Sequence, residues 1–421
     1  MSLGRRNFMG MGSLALCAAA LKAGTVHPAA GDAWKGWSPG RFQVHFIYTG
    51  VGESMFLIFP DGTTALLDAG DHAAMMRGKY ALPVLPSPYK MAGEWVQRYV
   101  LRVNPNGPNV DYMLVSHLHA DHTGTPSWQS NSPLMVKSNA YFRSGLGIVA
   151  EEIRFGKMID RGCPDYNDPI PHWPDLNRIG EHLASLRSYL EARDGMKFEK
   201  YRLGATDQIV PVRGSAEGFS CRVFAVNGRA AAENGDVTDF YTYLKARGAK
   251  KLNENGMSAG LLFKYGKFSF LTAGDFSDGR PVADGSGKKS IEEEIAPMLP
   301  RVNVAKLNHH GHNSMPAALV KALAARVWIA CVWDQKHLTP DTYSRLIDRS
   351  LYPGERMVFP GCVPNDIAAL SDADRADIPA AAYSGAHIVL DVKPGGDAYT
   401  ISALTAADES MRVVAAFDFA S

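Results

Sequence analysis

The chain has 421 residues, 46% of them hydrophobic, and a formal net charge of +1. That composition belongs to a folded globule and excludes a disordered or fibrous chain. So small a charge also excludes the strongly basic footprint of a protein that grips nucleic acid through its phosphates.

In chain order, Gly4-Arg-Arg-Asn-Phe-Met comes first, then a mildly apolar stretch from Met9 to Leu21 and small residues around Ala30 and Ala33. Residues 1–33 therefore read as a twin-arginine-type export signal with its cleavage region, and a periplasmic or secreted location is expected. Cleavage after Ala30 removes Arg5, Arg6 and Lys22 and takes the net charge from +1 to −2. The apolar stretch is too short to span a bilayer. Leu16, directly before Cys17, is too bulky for a lipoprotein site. No stable membrane anchor is expected.

Apolar runs then predict strands near Phe42–Ile47, Met55–Phe59, Ala65–Asp68 and Tyr112–Val115, with a helix over Met91–Val103 between the last two. Asp71–Lys90, with Pro83, Pro86 and Pro88, reads as a loop. Residues 125–250 carry helical patterns at Ile148–Ile159 and Leu176–Ala192. We read them as a partly helical insertion, with Tyr166, Trp173 and Tyr241 as aromatic candidates for a pocket face. Further strands are expected near Ala259–Tyr265, Lys267–Thr272, Val302–Lys306, Arg326–Val332 and Arg356–Phe359, with helices at Ile291–Leu299 and Ala317–Ala325. Ala386–Val392 and Tyr399–Ala403 form a closing hairpin around Gly395-Gly396. Cys163, Cys221, Cys331 and Cys362 show no Cys-x-x-Cys spacing, so a cysteine zinc site is not expected. An exported protein has room for one disulfide, whose pairing the sequence does not assign.

The chemistry concentrates in two short windows. Residues 116–124 read Ser-His-Leu-His-Ala-Asp-His-Thr-Gly, directly after the strand-like Tyr112–Val115. A polar turn would not gather His117, His119, Asp121 and His122 in six positions without cause. Imidazole and carboxylate together suit zinc, and also iron or manganese. Lys306-Leu-Asn-His-His-Gly-His likewise follows a strand-like run, and Phe268-Ser-Phe-Leu-Thr-Ala-Gly-Asp ends on Asp275. Three strands thus each carry a ligand-type residue at the carboxyl end, where open α/β sheets place their sites.

These motifs resemble the metallo-β-lactamase superfamily of metal-dependent hydrolases. The resemblance rests on Leu66-Leu-Asp-Ala-Gly70, the His117–His122 signature, Gly274-Asp275 and His309, and it extends over most of residues 42–405. Within the superfamily the chain is most similar to the hydrolase domain of ComEC-type competence proteins and their stand-alone relatives. The stretches concerned are Val44-His-Phe-Ile-Tyr-Thr-Gly-Val-Gly-Glu-Ser, Asn253-Glu-Asn-Gly-Met-Ser258 and His309-His-Gly-His-Asn-Ser314. The resemblance implies an α/β fold, an αββα sandwich of two mixed β-sheets with helices on the outer faces. Residues 34–421 would then form a single catalytic domain.

It also implies a pair of divalent ions, expected to be zinc with manganese or iron as alternatives. His117, His119 and a third residue would hold the first. Asp121, His122 and His309 would hold the second, with His309 chosen over His310, and Asp275 would bridge both. Many relatives supply a third histidine to the first ion. Here only His172 and His182 lie in the right region, and His182 fits a helix face better. Asp121, His310 and His337 are the catalytic candidates, Asp121 to orient hydroxide and the two histidines to donate protons. Asp68 is expected to orient a ligand histidine.

A metal-activated water makes a serine or cysteine nucleophile unnecessary. The substrate expected is a phosphodiester, since two metals suit in-line displacement. The alternatives are a lactone, β-lactam or other acyl ester. Iron-dependent redox chemistry and a non-catalytic metal-stabilised binding role are lesser readings.

Overall fold

A computed structural model describes residues 31–72, 78–125, 140–164, 166, 177–242, 254–277, 280–281 and 288–421. Residues 1–30 of the stretch read as an export signal, Cys17 among them, lie outside these, as do His172 and Trp173. Alternation of apolar side chains builds two mixed sheets. The first contains β1 (Phe42–Phe46), β2 (Ser54–Ile58), β3 (Thr64–Ala69), β4 (Asn109–Leu114), β5 (Arg154–Asp160) and β6 (Lys197–Lys200). The second begins with β7 (Phe219–Val226), β8 (Arg229–Ala231), β9 (Val237–Asp239), β10 (Gly260–Tyr265) and β11 (Phe268–Thr272). A short ribbon, β12 (Arg280–Pro281) and β13 (Lys288–Lys289), stands apart. The second sheet continues with β14 (Val304–Lys306), β15 (Val327–Ala330) and β16 (Met357–Pro360). The chain closes with β17 (Ala386–Val392), β18 (Ala398–Thr405) and β19 (Val413–Ala420).

The first sheet runs β19-β18-β17-β1-β2-β3-β4-β5-β6 and the second β16-β15-β14-β11-β10-β7-β8-β9. Each has an antiparallel part and a parallel part: β3 to β6 in one, β11 to β16 in the other. Successive side chains on a strand point to opposite faces, and here both faces are filled. Phe42, Val44 and Phe46 of β1 meet Phe263 of β10 and Phe268 and Phe270 of β11 in the layer between the sheets. Leu66 of β3 and Met113 of β4 point outward, under the helices Ala92–Val103, Leu146–Glu152 and Asn177–Asp194. Leu262 and Leu271 point outward on the other side, under Ala317–Leu323 and Pro340–Ile347. The layering is the αββα sandwich expected.

Most predicted elements fall within a residue or two of those observed. One differs in kind. The helix expected over Ile148–Ile159 stops at Glu152, and Arg154–Asp160 is the strand β5. Its backbone is paired on both sides, in parallel with β4 and β6. Such pairing overrides a local helical pattern. The segment read as an insertion supplies β5 to β9 as well as helices, so it contributes to both sheets. The four cysteines from Cys163 onward are free thiols. No helix among the described residues is long and apolar enough to cross a membrane.

Candidate metal centre

Strand ends from both sheets converge at one edge of the sandwich. β3 brings Asp68, the turn after β4 brings Ser116 to His122, the turn after β11 brings Asp275, and the turn after β14 brings His309 and His310. Asp275 Oδ2 lies where they meet. It is 3.8 Å from His117 Nε2, 3.2 Å from His122 Nε2 and 3.3 Å from His310 Nε2. Asp121 Oδ2 is 3.6 Å from His122 Nε2 and 3.1 Å from His310 Nε2. His117 Nε2 and His119 Nδ1 stand 3.0 Å apart. Apart from half-buried His119 and His309, the side chains named here are buried.

The outer nitrogens of the three inner imidazoles all face acceptors. His122 Nδ1 is 2.8 Å from Asp68 Oδ2. Asp68 in turn accepts from the backbone N–H and hydroxyl of Ser116, at 2.8 and 2.6 Å. That hydroxyl gives its proton to Asp68, so it can only accept from His117 Nδ1, 3.1 Å away. His310 Nδ1 meets the Cys331 carbonyl at 3.0 Å and Glu53 Oε2 at 3.1 Å. A carbonyl and a carboxylate cannot donate, so Nδ1 carries the proton. Each ring is thereby held with its Nε2 side towards Asp275, the arrangement that metal-binding histidines adopt.

The charges tell the same story. Glu53, Asp68, Asp121 and Asp275 are buried here against one buried ammonium, Lys306. Burial pushes the Asp275 carboxyl up, but His310 and His122 outweigh it and hold it well below the usual carboxylate range; His122 and His310 do the same for Asp121. In return, burial lowers His122 and His310, yet Asp275 and Asp121 lift both well above an ordinary imidazole. Protons on these rings are thus balancing carboxylates. A divalent cation does so more fully. His122 Nε2 and Asp275 Oδ1 are buried without a hydrogen-bond partner, and buried polar atoms are rarely left so. The donor set therefore fits metal.

Two donor groups emerge, each with its ligand atoms within 4.8 Å of one another: His117, His119 and Asp275, and Glu53, His122, Asp275 and His310. Asp275 belongs to both. In the second group Glu53 lies behind the His310 ring, on its Nδ1 side, whereas Asp121 faces Nε2 directly. On that geometry Asp121, rather than Glu53, is the candidate ligand on this side. Among the described residues no third histidine joins His117 and His119. His182 lies in the helix Asn177–Asp194, with neither nitrogen bonded and its pKa pushed down to about 4 by burial.

The structure groups His310, rather than the expected His309, with the other candidate ligands. His310, read as a proton donor, faces Asp121 and Asp275. His309, read as the ligand, turns to Asn255, with its Nε2 3.2 Å from Asn255 Nδ2. The cause is local. Both residues are left-handed, with φ of +47° and +55°, and that backbone sends neighbouring side chains to different sides of the turn. Backbone bonds from His309 N to Gly274 O (3.2 Å) and Leu338 N to His310 O (3.1 Å) hold it there.

His337 stacks on His310 with ring centroids 4.6 Å apart, and its Nδ1 accepts the Trp333 backbone N–H at 3.3 Å. The Trp333 indole donates to His310 Nε2 at 3.2 Å and stacks on His72. Tyr166 donates to Asp160, and Tyr241 packs by Gly228. Glu53, Lys306, Asn255 and Trp333 were not singled out from the sequence. The signals on offer were the quoted stretches that contain Glu53 and Asn255, and the position of Lys306 just upstream of the paired histidines.

The family model for the metallo-beta-lactamase superfamily matches residues 48–125, which include Asp68 and the whole His117–His122 signature. Two large mixed sheets with helices are consistent with that superfamily's fold. Asp275 and His310 lie beyond the matched residues and join the site by geometry. No curated protein matches the chain.

Proposed function

We propose that a superfamily match over residues 48–125, joined to a two-group donor set, makes this chain a binuclear metal-dependent hydrolase that opens phosphodiesters with water. The observation that carries the reading is Asp275 Oδ2, shared between His117 on one side and His122 and His310 on the other. In this reading His117, His119 and Asp275 hold one ion, and Asp121, His122, Asp275 and His310 hold the other. Zinc is the expected metal, with manganese or iron as alternatives. When bound, such ions lower the pKa of a water from about 15.7 to about 7 and polarise the oxygen under attack.

The remaining work falls to the chain. Asp68 holds His122 in one tautomer, and Ser116 does the same for His117. The carboxylates at the site would repel an anionic phosphodiester, so substrate entry depends on the cations they bind. His337 is kept neutral, since burial pushes its pKa well below that of an ordinary imidazole and the neighbouring His310 adds to this. Its Nδ1 accepts from backbone, which leaves the proton on Nε2. We assign it as a hydrogen-bond donor to substrate rather than as a proton-transferring acid. The resemblance to ComEC-type hydrolases supports a phosphodiester over an acyl ester.

The test is direct. Mature protein should contain about two zinc ions per chain and turn over a bis-nitrophenyl phosphate faster than a nitrophenyl ester, a lactone or a chromogenic β-lactam. Acyl turnover alone would replace this reading with the acyl-hydrolase one. Iron with oxygen consumption would replace it with redox chemistry, and metal-replete but inert protein with a binding role.

The export reading is likewise a proposal, resting on Arg5-Arg6 and the stretch after them. Changing both arginines to lysine is expected to leave the protein uncleaved in the cytoplasm. Unchanged recovery from the periplasm would refute twin-arginine export.

A further inference from the structure

Two buried ion pairs tie the sheets together beside the site, and neither is a metal ligand in the reading above. Lys306 Nζ, at the end of β14, donates to Glu53 Oε2 at 2.8 Å and to the Gly274 carbonyl at 3.1 Å. Both side chains are fully buried. Glu53 belongs to the first sheet's half. Its backbone N–H donates to Asp121 O and its carbonyl accepts from Gly70 N, each at 2.8 Å. Its carboxylate also meets His310 Nδ1. One residue therefore touches the Asp121 segment, the ring of His310 and, through Lys306, the residue before Asp275. The second pair is Arg161–Glu254. Arg161 Nη2 donates to Glu254 Oε2 at 2.6 Å, and Glu254 Oε1 accepts the Leu118 backbone N–H at 2.8 Å. It adjoins the His117–His119 segment and makes no contact with His310.

Burying a carboxylate and an ammonium is costly, and replacing such a pair by apolar residues is often neutral or stabilising. Stability alone is then a poor reason for Glu53 and Lys306. Position is a better one: a ligand ring is only as well aimed as the group behind it. We propose that the Glu53–Lys306 pair positions the metal centre, registering the second sheet's Asp275 and His310 against the first sheet's Asp121 and His122 and aiming His310 Nε2 at the ion they share.

This inference rests on the metal-dependent reading above, and the experiment separates the two. Full-length mature protein is stripped with a chelator, then titrated with zinc against a competing indicator, and with cobalt(II) followed by its visible bands. In the double variant Glu53→Met with Lys306→Met, the metal-free melting temperature should stay at or above the parent's. One ion should bind about 10- to 100-fold more weakly, with altered cobalt bands, and the other should be unchanged. Glu53→Gln, which keeps the shape and an acceptor, covers the case in which the double variant does not fold; it should weaken the same ion by a smaller factor. Binding of both ions within twofold of the parent, in whichever variant folds, would overturn the proposal. So would an equal loss at the same ion in Arg161→Met with Glu254→Gln, since any buried pair at the junction would then serve. If the parent itself takes up no zinc, the metal-dependent reading fails first and this one with it.

Discussion

Asp275→Asn is expected to abolish binding of at least one ion per chain and to lower kcat/KM by ~10³-fold or more, about 4 kcal/mol at 1.36 kcal/mol per decade. Asparagine keeps the volume but is neutral, and it replaces one oxygen with an amide. The oxygen at stake lies within 3.8 Å of His117, His122 and His310, so no other described residue can substitute for it. The metal-free variant should be less stable than the parent, because His122 and His310 hold Asp275 ionised and its removal leaves both rings short of a partner. What disappears is the gain on adding metal. For one site, ligand at a thousand times its dissociation constant stabilises a protein by about 4 kcal/mol, and the variant should show little of this. Melting curves with and without zinc would measure it. Two ions per chain and turnover within tenfold of the parent would dismiss the shared-carboxylate geometry.

Gly70→Ala is expected to be the most damaging conservative change near the site. Gly70 follows β3, where its chain lies flat against the Asp121 segment. A methyl group there would overlap the Asp121 carbonyl and stand 2.8 Å from Glu53 N. Both obstacles are backbone, so no side chain can swing aside. Three hydrogen bonds fix the approach: Gly70 N to Glu53 O, Glu53 N to Asp121 O, both 2.8 Å, and Asp71 N to Ala120 O, 3.1 Å. Relief requires moving the turn that carries Asp121 and His122. Overpacking typically costs about 1–3 kcal/mol and occasionally more; a backbone-on-backbone clash belongs at the upper end, about 3 kcal/mol. Chemical denaturation should show that loss, and zinc uptake should fall with it. Parent-like stability together with parent-like zinc affinity would mean that the close approach is not as described.

The two variants probe different layers of one site. Asp275→Asn removes charge and leaves the scaffold intact. Gly70→Ala keeps every donor residue and shifts the chain that carries two of them.

Much of this was legible in the linear chain. The strands, most helices and the His117–His122 donors follow from local pattern, because periodicity and ligand spacing are properties of neighbouring residues. The shared position of Asp275 could be expected from resemblance alone, since it depends on two sheets meeting edge to edge. Other features needed the folded molecule. β5 was hidden because pairing with β4 and β6, not its own pattern, makes it a strand. Whether His309 or His310 faces the carboxylates turned on two left-handed residues that Gly274 and Leu338 hold in place across the turn. Glu53 and Lys306, 253 positions apart, meet only after the sandwich closes. Sequence determined which donor types were available and on which strand ends they sit, for those are short-range facts. Tertiary structure decided which of two adjacent imidazoles points inward and what stands behind it, because side-chain direction is set by backbone contacts made across the whole fold.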